Sequence, residues 1–175
     1  MLDRPTQPAT TLTNGSLATR FILRGADAVA AASQAFGVAL PTTPLRAATN
    51  GTRTAFWLGP DEWLLIAPEA ETAALQQTLE TALAAIPHAL VDVSNRQTAL
   101  LIEGPDAATA LNAGTPLDLS LTAFPVGMVA RTIFEKAEIV LWRSGEQSFR
   151  VEVWRSFAPY VRALLETAVS ESAAT

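Results

Sequence analysis

Arg20-Phe-Ile-Leu-Arg-Gly-Ala-Asp-Ala28 and Leu100-Leu-Ile-Glu-Gly-Pro-Asp-Ala107 decide the fold, because they carry the same message twice. In each, an apolar strand runs into a glycine, and an aspartate two places later opens an alanine-rich helix. Glycine breaks the strand, and aspartate is favoured as a cap or first-turn acid. Each copy then continues with aromatic strands and an amphipathic helix. The chain therefore reads as a duplicated α+β scaffold.

Outward from the first copy, Val29, Ser33 and Phe36 lie on one side of the helix, and Gly37 stops it. Residues 40–52 hold Pro41, Pro44, Asn50 and Gly51 and read as a loop. It is long for a compact domain, which marks it as mobile or as a contact surface. Segments 55–58 and 63–67 flank Gly59-Pro-Asp-Glu62 and read as a hairpin. Leu75, Leu79, Leu83 and Ile86 recur at helical spacing, so a helix is expected from about Ala70 to Ile86, closed by Pro87.

In the second copy, 90–93 and 98–102 read as strands around Ser94-Asn-Arg96, followed by a helix ending near Gly114 and a connection over 115–121. Segments 129–134, 138–142 and 149–154 read as a three-strand meander. Phe149, Val151 and Val153 alternate with Arg150 and Glu152, the pattern of a half-buried antiparallel strand. In the last helix Ser156 stands at a cap position and Pro159 in the first turn, where a missing N–H is harmless. Its stripe is Phe157, Tyr160, Val161, Leu164, Leu165 and Ala168. The expected organisation is a flexible leader over 1–19, α+β halves over 20–88 and 89–169, and a flexible tail over 170–175. The fold class is α+β: antiparallel sheets with helices on one face, in two duplicated ferredoxin-like βαββα halves.

Composition removes several functions. The chain has 175 residues, 49% of them hydrophobic, with a net charge of -5 and a pI near 4.8. An acidic chain without a basic run has no nucleic-acid footprint. There is no cysteine, so disulfide and thiol chemistry are excluded. A single histidine, His88, argues against a histidine-based metal site. Neither a signal peptide nor a bilayer-length apolar run is present, so a cytoplasmic chain with no membrane partner is expected.

The candidates for chemistry are sparse. Histidine is a common general acid–base side chain, but His88 sits at a helix-to-strand joint, where a structural histidine is the ordinary reading. Asp61 and Glu62 lie in a turn, and Glu135 and Glu138 bracket Lys136 at another. Solvation explains all four. Asp92 interrupts the apolar Leu90-Val-Asp-Val93 and must find donors, such as Arg96 or Arg131, or take a ligand. Gly104-Pro-Asp106 fails as a phosphate loop, since Pro105 lacks an N–H and Asp106 repels phosphate. Trp57, Trp63, Trp142 and Trp154 all fall on strands, where core packing competes with interface duty.

Five segments carry a resemblance. Trp57-Leu-Gly-Pro-Asp-Glu-Trp-Leu-Leu65, Val91-Asp-Val-Ser94, Phe124-Pro-Val-Gly127, Ala130-Arg-Thr132 and Phe149-Arg-Val-Glu-Val-Trp-Arg-Ser-Phe-Ala-Pro-Tyr-Val161 resemble the gamma subunit of heterotetrameric sarcosine oxidase, in order and spacing, from about Arg20 to Ala168. The resemblance implies kinship with the folate-binding aminomethyltransferase fold. It also implies a complex with alpha, beta and delta subunits that demethylates sarcosine oxidatively and passes the one-carbon unit to tetrahydrofolate. FAD, FMN and NAD are implied in alpha and beta and zinc in delta, with no cofactor, metal or catalytic residue in gamma. Where the family commonly has histidine after Val-Asp-Val-Ser, this chain has Asn95, which weakens any proton-transfer role there. The expectation is a structural subunit docking on alpha. The alternatives are a folate-binding module, with Asp92 against a pterin ring, or a stand-alone one-carbon transferase. The long loop suggests Arg46 and Arg53 as interface residues, the turn over 143–147 suggests Arg143, and the enrichment of tryptophan at interfaces adds Trp57 and Trp63.

Overall fold

Period-two alternation places almost every strand residue. The structure, a computed structural model, describes residues 9–172. In chain order it contains β1 (Thr11–Asn14), β2 (Ala18–Arg24), α1 (Val29–Phe36), β3 (Ala47–Asn50), β4 (Arg53–Gly59), β5 (Glu62–Pro68) and α2 (Thr72–Leu83). Then come β6 (Ala89–Asp92), β7 (Gln97–Glu103), α3 (Ala107–Asn112), β8 (Val129–Phe134), β9 (Ala137–Gly145), β10 (Ser148–Trp154) and α4 (Ala158–Ser172).

The strands form two antiparallel five-stranded sheets, ordered β3-β4-β5-β2-β6 and β8-β9-β10-β7-β1. Position for position the orders match, which is the duplication made visible. The helices cover one face of each sheet. Phe21, Leu23, Ala55, Trp63 and Leu65 pack under α1 and α2, while Ile102, Ile139, Leu141, Phe149 and Val151 pack under α3 and α4. The intervening residues turn the other way. Phe56, Leu64 and Ile66 of one sheet meet Val129 and Val140 of the other in a third core between the sheets. Four layers result, helices outside and sheets inside.

One strand of each sheet is exchanged. The β1 strand precedes the first half but pairs with β7, Thr11 opposite Glu103. The β6 strand opens the second half but pairs with β2, Val91 opposite Ile22. Thr11–Asn14, expected within a leader, is thus sheet structure. Residues 1–8 and 173–175 lie outside the described residues, and Ser170 to Ser172 of the expected tail form the last turn of α4. The stretch 40–52 also differs from the loop expected, since residues 47–50 are β3, an edge strand paired with β4.

Two glycines hold close approaches. Gly37 ends α1 with φ 74° and returns its N–H to the Ser33 carbonyl. Gly104 has φ 134°, and a Cβ there would lie 2.5 Å from Thr10 Cα. That absent methyl lets the chain ahead of β1 lie over the β7–α3 turn, where Thr10 Oγ1 accepts from the Asp106 N–H at 2.9 Å. The α4 helix opens at Ala158, two residues beyond Ser156. It buries Val161, Leu165 and Ala168, but leaves Phe157 and Tyr160 of the expected stripe exposed. No helix among the described residues is long and apolar enough to cross a membrane.

Candidate functional site

The inward faces of the two sheets carry the polar groups that set this chain apart from a plain apolar sandwich. Arg20 on β2 reaches across to Glu152 on β10, with Nε 2.6 Å from Oε2 and Nη2 3.3 Å from Oε1. Arg150, two residues away on the same face of β10, donates Nε to Oε1 at 2.8 Å. Its Nη2 lies 2.7 Å from Oε1, close enough for an ion pair but outside hydrogen-bond geometry. Arg20 and Glu152 are almost wholly buried. One carboxylate thus serves two guanidinium groups, and the cluster keeps one surplus positive charge. Desolvation offsets much of the attraction in such a cluster. Its lasting effect is geometric: only one stagger of the sheets sets Arg20 against Glu152.

Beside this cluster the sheets part into a cleft of about 380 Å³. Arg150 and Trp142 line it from one sheet, and Thr54 and Ile66 from the other, with Leu17 on its rim. Leu17 is 71% exposed. Trp142 packs at a tilt on Phe56, ring centres 5.3 Å apart, and its indole N–H finds no acceptor among the described residues.

The far mouth of the sandwich is charged and apolar at once. Glu62 pairs with Arg131 across the sheets and with Arg24 on its own. Arg96 lies over the Trp154 ring at 5.4 Å. Val91, Ile133 and Trp154 point inward by strand alternation but remain 52%, 48% and 40% exposed, because the sheets diverge there.

The residues singled out from sequence do not converge. Asp92 is not half-buried: β6 is an edge strand, and its carboxylate accepts from the Ser94 N–H at 2.8 Å and the Ser94 hydroxyl. Neither Arg96 nor Arg131 is its partner. His88 is exposed, with Nδ1 2.7 Å from the Ile86 carbonyl. Trp63 is 1% exposed and donates Nε1–H to the Pro41 carbonyl at 2.8 Å, so it packs the core instead of offering an interface. Arg143, expected on a rim, is 2% exposed. It donates to the Phe124 and Leu119 carbonyls, both at 2.9 Å, and lies over Phe149 at 4.5 Å. Burial pushes its guanidinium pKa down, opposed by Glu146. Arg53 ties the Phe36 carbonyl to Glu71, and Trp57 is half-buried. Of the five interface candidates, Arg46 alone is exposed. No group of three or more His, Asp or Glu side chains able to hold a metal occurs among the described residues. Glu152 and Arg150 were missed because alternation in β10 marks a polar face without saying that a second sheet covers it, and Arg20 because it stands at the start of an apolar strand.

Residues 24–171 match the model of the sarcosine oxidase, gamma subunit family. The chain belongs to that family. The sarcosine oxidase subunit gamma of Corynebacterium sp. (strain U-96) is 38% identical over 170 residues, 95% of this chain and 82% of its own length. That of Corynebacterium sp. (strain P-1) is 36% identical over 85% of this chain and 73% of its own length. Among solved structures, the heterotetrameric sarcosine oxidase from Corynebacterium sp. U-96 in complex with pyrrole 2-carboxylate matches with a TM-score of 0.86 at 36% identity, over 93% of this chain and 84% of that one. The glycine cleavage system aminomethyltransferase T of Bartonella henselae matches with a TM-score of 0.71 at 17% identity, over 91% of this chain and 46% of that one. At that identity the second likeness shows the fold alone, and it bears out an aminomethyltransferase-like architecture. The gamma-subunit family places the chain among parts of an oxidase.

Proposed function

We propose that this chain is a structural subunit of a heterotetrameric sarcosine oxidase, docked on the large alpha subunit and needed for assembly rather than for a chemical step. The observation that carries this reading is the likeness to the U-96 oxidase over nearly the whole chain. The polar groups agree with a brace: Glu152, Arg20 and Arg143 are buried and spent on holding sheets and loops together. In this reading FAD, FMN, NAD, tetrahydrofolate and zinc belong to the partner subunits. The partners are alpha, with beta and delta in the same complex, and the setting is cytoplasmic.

Docking through Arg46 and the neighbouring 42–45 stretch fits the exposure of that segment. The folate alternative loses its footing at Asp92, whose carboxylate is turned to Ser94. Co-expression of the other three subunits with and without this chain tests the proposal. The expected result is loss of assembled complex when the chain is missing. A complex of full stability and activity without it overturns the reading.

A further inference from the structure

The cleft between the sheets has the make-up of a ligand site, and this inference stands apart from the brace reading. Its volume of about 380 Å³ is that of an ordinary small-molecule pocket. Its walls are mainly apolar and come from both sheets: Ile66 and Pro68 from one, Leu101 and Trp142 from the other. Its polar side chains are Ser16, Thr52, Thr54 and Arg150, and no carboxylate among the described residues lines it.

The charge is unbalanced. Among the described residues Arg20 and Arg150 share only the Glu152 carboxylate, so two positive charges face one negative, in a protein whose net charge is -5. The side chain of Arg150 remains 17% exposed. Among the described residues the buried Trp142 indole N–H has no hydrogen-bond acceptor, and Arg150 Nη2, buried 2.7 Å from Glu152, is ion-paired outside hydrogen-bond geometry. Surplus positive charge in a poorly hydrated setting attracts an anion more strongly than in bulk water. A guanidinium recognises a planar carboxylate by geometry as well as charge. A flat apolar body suits the remaining walls, to which Leu17, Leu101 and Trp142 contribute.

We propose that this cleft binds a small carboxylate carrying a flat apolar body, its anionic end against Arg150 and its ring along Trp142. Benzoate is the probe. It is titrated into the full-length chain while calorimetry and the Trp142 indole N–H resonance are followed, with benzyl alcohol as the uncharged comparison. Saturable binding of benzoate that shifts the Trp142 signal is expected, with no saturation by benzyl alcohol. Arg150→Gln leaves Glu152 paired with Arg20 and should weaken binding at least about tenfold. Thr54→Phe fills the cleft with the charges intact and should abolish binding, so it decides the matter if Arg150→Gln does not fold. An unmoved Trp142 signal, an equal response in Arg150→Gln or to benzyl alcohol, or undiminished binding by a folded Thr54→Phe variant overturns the proposal. So does loss of benzoate binding on assembly with the other subunits, which would assign the cleft to a partner's side chain.

Discussion

Glu152 is the residue on which the interior turns, because among the described residues it is the one carboxylate paired with Arg20 and Arg150. Replacing it by leucine leaves two guanidinium groups between the sheets without a counter-charge. Glu152→Leu should cost about 3–5 kcal/mol in urea unfolding, the range for breaking a buried pair. Arg20→Leu should cost less, about 1–3 kcal/mol, since Arg150 still neutralises the carboxylate. Equal losses would mean that the two arginines do not share the charge. Arg143 acts differently, as a clasp. Its two bonds to the Leu119 and Phe124 carbonyls bind the 115–128 connection to β9. Arg143→Leu should lose about 1–3 kcal/mol and raise amide exchange over 115–128 before the sheets respond. Neither role is readable from local sequence. Arg150 and Glu152 alternate with Phe149, Val151 and Val153 as solvent-facing residues would, and only the second sheet makes their face an interior. Asp92 is the converse case: an apolar neighbourhood in sequence suggested burial, but an edge position exposes it.

At the scale of elements, the hairpin, the meander and the helices were legible, because their periodicities are strong and glycine or proline marks their ends. Two strands were not. Ala47-Ala-Thr-Asn50 lacks β-branched residues apart from Thr49 and follows two prolines. Thr11-Leu-Thr-Asn14 lies in a polar run, and its partner stands about ninety residues further on. Local pattern records that a segment is extended, but not which sheet receives it. The β1 strand therefore depends on a distant fit, and Gly104 is the test. Gly104→Ala would drive a methyl into Thr10 and impose a left-handed φ on alanine, at a cost of about 1–3 kcal/mol. Faster amide exchange at Thr11 to Asn14 than elsewhere in the sheet is the expected signature. Unchanged protection there would show that β1 does not rely on this contact.

The whole molecule presents an uneven surface. Its helices cover the outer faces, yet the mouth near Val91, Ile133 and Trp154 and the segment around Arg46 lie open. Arg46→Glu should lower recovery of the assembled oxidase in co-purification while the thermal unfolding of the isolated chain stays the same. Undiminished recovery would place the docking surface elsewhere. The exchanged strands bear on how such a molecule is made. Thr11 leaves the ribosome well before the partner it faces, since Glu103 is translated 92 residues later. By then β2 to β6 have all been translated, so the first half has every strand of its sheet in hand. The opening residues must wait as an unclaimed thread beside a finished neighbour. Unpaired strand backbone of that kind is a template for association with other chains.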